Sequence, residues 1–121
     1  MEHTILVVDD EPEICDLLQD FLTQEGYQVF TAKNGQEAIS LGSQNRFDLA
    51  LLDIKMPGMD GIEAFQELKN VKKDMEVIIL TGHGTLGTAK EAMRLGAYDY
   101  LTKPFDLALV KSVIREALDK K

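Results

Sequence analysis

The chain has 121 residues, 45% of them hydrophobic, with 13 basic and 21 acidic side chains. That is enough for one ordinary core and too little for a second substantial domain, so residues 1–121 are expected to form one unit. A formal charge of −8 and a pI near 4.7 argue against direct nucleic-acid binding, which needs a basic face. The single cysteine, Cys15, excludes an internal disulfide and suits a reducing compartment. The apolar runs are too short for a membrane span, and Met1-Glu2-His3-Thr4 has no signal-peptide character. The expectation is a soluble cytoplasmic domain with no membrane contact.

Five short apolar runs alternate with helical patterns. Ile5-Leu6-Val7-Val8 predicts a first strand. Pro12 then opens a helix whose apolar positions Ile14, Leu17, Leu18, Phe21 and Leu22 recur at helical spacing, and Gly26 stops it. Val29-Phe30-Thr31-Ala32, Leu49-Ala50-Leu51-Leu52 and Val77-Ile78-Ile79-Leu80 predict the next three strands. After a fourth helix carrying Ala89, Ala92 and Met93 inward, and ending at Gly96, Tyr98-Asp99-Tyr100-Leu101 predicts the fifth. Val110, Val113, Ile114, Ala117 and Leu118 form the stripe of a last helix, with Leu109 just off it. The first, third and fourth runs are continuous, as strands buried on both faces are, and the other two suit sheet edges. Units of about 24 residues are a normal size for a strand, a helix and two short loops. Alternation of this kind implies parallel strands with right-handed crossovers. Five units are too few for a closed eight-stranded barrel, so an open three-layer α/β/α sheet follows. No repeat, linker or second module is expected.

Ligands of such sheets bind outside the carboxyl ends of the strands. Asp9-Asp10, Asp53, Thr81 and Lys103-Pro104 all fall there. Polar helix caps alone account for any one of them, but less readily for all of them on one edge. Clustered carboxylates resist ionisation unless a cation joins them. Mg²⁺ suits carboxylate and phosphate oxygens. A carboxylate beside such an ion, with a lysine and a hydroxyl opposite, is equipped to attack a phosphoryl group.

Four strings carry a family resemblance: Val7-Val8-Asp9-Asp10-Glu11, Leu52-Asp53-Ile54-Lys55-Met56-Pro57-Gly58-Met59-Asp60-Gly61, Leu80-Thr81-Gly82 and Tyr100-Leu101-Thr102-Lys103-Pro104-Phe105. In order and spacing they resemble response-regulator receiver domains of two-component signalling. The resemblance implies a flavodoxin-like (βα)5 fold with strand order 2-1-3-4-5 and a cis Lys103-Pro104 peptide. It implies Asp53 as phospho-acceptor, expected to be the one carboxylate facing both the metal and Lys103, with Asp9, Asp10, Asp53 and the Lys55 backbone carbonyl as Mg²⁺ ligands. Thr81 and Lys103 would contact the phosphoryl oxygens, and Tyr100 holds the position of the switch aromatic. The implied donor is a sensor histidine kinase. Such a chain is a phospho-acceptor that assists its own phosphorylation and dephosphorylation, not a conventional enzyme. The fourth helix, fifth strand and fifth helix are the expected partner or homodimer face. Thr81-Gly82-His83-Gly84 and Gly96-Ala97-Tyr98-Asp99-Tyr100 look most like receivers of nitrogen-regulatory-type transcriptional activators.

Other features have plainer explanations. Gly82-His83-Gly84-Thr85-Leu86-Gly87 spells the dinucleotide fingerprint GxGxxG. That fingerprint normally fills the first strand-helix turn, whereas here it is the fourth. His83 and His3 read as solvated, Cys15 as a packing residue, and Met56 and Met59 as partly exposed loop residues. Glu11 and Glu13 read as favourable charges at a helix N-terminus rather than metal ligands. The rival from another class is a Mg²⁺-dependent phosphatase with an aspartyl-phosphate intermediate. Asp53-Ile54-Lys55 lacks the second Asp of such enzymes, and the chain has no room for a large cap.

Overall fold

A computed structural model describes residues 2–119; Met1, Lys120 and Lys121, at the ends of the expected domain, lie outside them. Five strands alternate with five helices: β1 (Thr4–Val8), α1 (Pro12–Gln24), β2 (Gln28–Ala32), α2 (Gly35–Gln44), β3 (Leu49–Asp53), α3 (Gly61–Val71), β4 (Glu76–Thr81), α4 (Leu86–Arg94), β5 (Asp99–Thr102) and α5 (Leu107–Asp119). The sheet is parallel in the order β2-β1-β3-β4-β5. The fold is therefore the expected flavodoxin-like α/β/α sandwich.

Alternation along the central strands divides the core into two. Leu6, Val8, Ala50, Leu52, Val77 and Ile79 face Ala38 of α2, Phe65 and Leu68 of α3, and Ala89 and Ala92 of α4. Ile5, Val7, Leu49, Leu51, Ile78 and Leu80 face Leu18 and Leu22 of α1 and Val110 and Ile114 of α5. Side chains of successive strand residues point to opposite faces, which is why these strands read as unbroken apolar runs. The edge strands β2 and β5 are only partly buried.

Local chemistry sets the helix ends. Pro12 occupies the first turn of α1, and Gly26 and Gly96 follow α1 and α4 with φ of 97° and 114°, a region open to glycine. Asn34 Oδ1 accepts the Glu37 amide, and Asp60 Oδ1 accepts those of Ile62 and Glu63. Three expectations about burial need correction. Leu17 is 44% exposed, because the buried stripe of α1 runs through Cys15, Leu18 and Leu22 and leaves Leu17 at its margin. Met56 is buried, since its flexible thioether turns under the loop into the α2–α4 side of the core, while Met59 is half-buried against the same cluster. His3 is half-buried rather than solvated. Among the described residues no helix is long and apolar enough to cross a membrane.

Candidate functional site

The carboxyl ends of β1, β3, β4 and β5 deliver the predicted residues to one place. Asp9 directly follows β1 and is fully buried; Asp53 closes β3 and is 2% exposed. Each is fixed by a turn of its own chain. Asp9 Oδ1 accepts the Glu11 amide at 2.9 Å, and Asp53 Oδ1 accepts the Lys55 amide at 2.9 Å. Asp10 is exposed beside them. Carboxylate oxygens of Asp9, Asp10, Glu11 and Asp53 lie within 4.8 Å of one another.

Lys103, one residue past β5, reaches into this group. Its Nζ lies 2.8 Å from Asp9 Oδ2, 2.9 Å from Glu11 Oε1 and 3.2 Å from Asp53 Oδ2. Asp53 is thus not the sole carboxylate on Lys103, since the ammonium is shared three ways. Burial, with the Asp9 charge adding to it, pushes the Asp53 carboxyl above its ordinary pKa, against the opposing effects of the Lys55 amide and Lys103. Burial also works to lower the pKa of Lys103, but its contacts with Asp9 and Glu11 and the charges of Asp53 and Asp9 outweigh that. They hold the ammonium well above its usual value. Burial is thus the main cause at Asp53 and the neighbouring carboxylates are the cause at Lys103, where four clustered carboxylates meet one lysine and leave an excess of negative charge.

That excess is what a hard divalent cation would meet. Asp9 Oδ2 is buried and, although paired by charge with Lys103, makes no hydrogen bond of normal direction. A buried, incompletely satisfied carboxylate oxygen among three further carboxylates fits the all-oxygen coordination of Mg²⁺.

Thr81 ends β4 and is 1% exposed; its hydroxyl lies 2.5 Å from that of Thr85. Thr85 also receives the Gly82 amide at 3.0 Å, so Thr81 is tied to the segment that starts α4. Tyr100 lies on β5 opposite Ile79 and is half-buried against the α2–α4 side of the core. The Lys103-Pro104 peptide is cis. Lys55 is exposed, and its Nζ donates to the His83 carbonyl at 3.3 Å. The His83 side chain is exposed, as expected. Asp53 and Lys103 open onto a cavity of about 430 Å³ lined also by Glu11, Ile14, Lys55, Gly82, His83 and Pro104. A larger groove of about 620 Å³, between α2 and α3, lies away from this chemistry and holds no basic side chain.

Two participants escaped the sequence reasoning. Glu11 reads from the sequence as a charge at a helix N-terminus, and nothing local shows that it meets a lysine 92 positions away. Thr85 stands in a cap-like position ahead of α4, but its contact with Thr81 depends on how the loop folds back.

The family model of the response regulator receiver domain matches residues 5–115. The chain belongs to the response-regulator receiver family, the signalling domains of two-component systems. It is 40% identical over 121 residues to sporulation initiation phosphotransferase F of Bacillus subtilis (strain 168), covering 100% of this chain and 98% of that protein. It is 43% identical over 114 residues to the transcriptional regulatory protein ZraR of Klebsiella oxytoca, covering 94% of this chain but only 26% of that regulator. Among solved structures, a CheY-like receiver domain protein from Methanospirillum hungatei JF-1 superposes with a TM-score of 0.93 at 32% identity, over 99% of this chain and 96% of that one. The receiver domain of NtrX from Brucella abortus superposes with a TM-score of 0.90 at 36% identity, over 97% and 99%. The ZraR and NtrX matches support the likeness to receivers of nitrogen-regulatory-type activators.

Proposed function

We propose that this chain, acting over residues 1–121 as one cytoplasmic receiver unit, takes a phosphoryl group from a sensor histidine kinase onto Asp53. The observation that carries this function is the buried Asp53 carboxylate 3.2 Å from the Lys103 ammonium, at the rim of an open cavity. Asp9, Asp10, Asp53 and the Lys55 backbone carbonyl would hold Mg²⁺, which when bound supplies positive charge against the phosphoryl oxygens. An Asp53 oxygen attacks phosphorus; the bond from phosphorus to the donor's nitrogen or oxygen breaks, and its electron pair leaves with the donor. Lys103 neutralises charge on the transferred group, and the Thr81 hydroxyl donates to one of its oxygens. The same two residues then assist hydrolysis, so the chain is a self-limiting switch rather than a conventional enzyme.

The charge on Asp53 reaches a partner through Thr81. Turning toward the phosphoryl group takes its hydroxyl from Thr85 and leaves space that Tyr100 fills by rotating inward. α4 buries only Ala89 and Ala92 fully, so it is lightly anchored and suited to two positions. The surface of α4, β5 and α5, with Leu86, Leu95 and Leu109 exposed on its helices or at their ends, is the proposed partner or homodimer face, and this unit does not itself bind nucleic acid.

The test is intact-mass labelling with acetyl phosphate and Mg²⁺. The wild type gains one phosphoryl group and Asp53→Asn gains none. Full labelling of the variant on another residue, or multiple turnover of small phosphoesters, would replace the switch with another acceptor or with a phosphatase.

A further inference from the structure

An ammonium has three N–H donors, and Lys103 has three carboxylate oxygens within 3.2 Å. A phosphoryl group on Asp53 brings three new acceptor oxygens to the same place. Transfer removes the Asp53 carboxylate charge, so that contact passes to one phosphoryl oxygen, and a second phosphoryl oxygen reaches the ammonium only if Asp9 or Glu11 yields. Asp9 is fully buried and its other oxygen is tied to the Glu11 amide. Asp53 is itself the acceptor. Glu11 differs from both: its side chain is 53% exposed, and among the described residues its carboxylate hydrogen-bonds only to Lys103. Its backbone is fixed, with the amide on Asp9 and the carbonyl accepting from Ile14 and Cys15. The side chain can therefore swing into water without disturbing α1.

We infer that Glu11 is a displaceable counter-ion of Lys103, a positioning residue that holds the ammonium over the site and competes with the incoming phosphoryl oxygens. This role rests on Asp53 being the acceptor. Glu11 steadies Lys103 before transfer and loses its place to the phosphoryl group during it. It thereby slows phosphorylation and weakens the phosphorylated state.

Glu11→Gln and Glu11→Asp test this. The first removes the charge; the second keeps it but draws the carboxylate back by one methylene, out of reach of Lys103. The Mg²⁺ affinity of each protein is measured first, and all comparisons are made at saturating Mg²⁺. Both variants should label with acetyl phosphate about two- to five-fold faster than wild type, the scale of losing a half-exposed ion pair. Both should bind beryllofluoride, a phosphoryl mimic, tighter by a similar factor, with melting temperatures no higher than wild type. A merely structural residue would not tighten that binding when replaced. Unchanged or slower labelling, or unchanged beryllofluoride affinity, overturns the role of Glu11 while leaving Asp53 in place. A gain in Glu11→Gln alone overturns it as well, because charge at a distance would then be acting. A wild type that takes no label at Asp53 overturns the acceptor and this role together.

Discussion

Gly61 opens α3 directly against the strand end that carries Asp53, and replacing it by alanine should damage both stability and phosphorylation. A Cβ at this position would stand 2.7 Å from Ile54 Cβ, 2.8 Å from Ile54 O and 3.2 Å from Ile54 Cα. Two of these atoms are backbone, so no side-chain rotation relieves the clash. Overpacking of a well-filled site costs about 1–3 kcal/mol, and a backbone clash belongs at the upper end. Alanine recovers roughly 0.5–1 kcal/mol of glycine's conformational cost, leaving a net loss of about 2 kcal/mol. An unfolding entropy of about 2.1 cal/mol/K per residue over this length converts that loss to a drop in Tm of roughly 8 °C. Ile54 is joined to both Asp53 and Lys55, whose amide fixes the Asp53 carboxylate. Pushing Ile54 away therefore displaces the acceptor as well, and labelling by acetyl phosphate should slow by roughly ten-fold. Calorimetry or far-UV melting measures the first effect and intact mass the second. Gly35→Ala is the control, because its Cβ would meet only the Met59 thioether at 3.3 Å and more distant side-chain carbons. A Gly61→Ala protein that melts within about 2 °C of wild type would refute the steric origin of this glycine.

Two further outcomes concern the site and its output. Because the Asp53 pKa is raised on folding, its contribution to metal-free stability is full below its ordinary value of 3.8 and is lost as pH rises through the folded value. Metal-free Asp53→Asn should therefore melt above wild type at pH 7, with the difference shrinking near pH 4 and on adding Mg²⁺ to wild type; a variant less stable at pH 7 would contradict the cost of burying this carboxylate beside Asp9. Thr81→Ala should still accept phosphate, more slowly, but amide shifts on adding beryllofluoride should stay near Asp53 instead of spreading to α4, β5 and α5. The full wild-type pattern in that variant would disprove the coupling through Thr81.

Sequence pattern determined the alternation of parallel strands and helices in an open three-layer sheet, and the resemblance to receivers supplied the strand order. Unbroken, β-branched apolar runs such as Val77-Ile78-Ile79-Leu80 suit strands covered on both faces, and this one is fully buried. Asp9, Asp53, Thr81 and Lys103 were legible because a parallel sheet brings all its strand ends to one edge. Side-chain reach and depth were decided by tertiary structure. Lys103 serves Asp9 and Glu11 as well as Asp53, since an ammonium at the edge of crowded carboxylates is shared among them. Met56 turns inward where the loop chemistry pointed outward, and Leu17 stays in solvent despite its helical spacing. Periodicity assigns a residue to a face, whereas burial at the margin depends on what packs opposite. The bond between Thr81 and Thr85 likewise exists only once the β4–α4 loop folds back on itself, a distance that no residue pattern encodes.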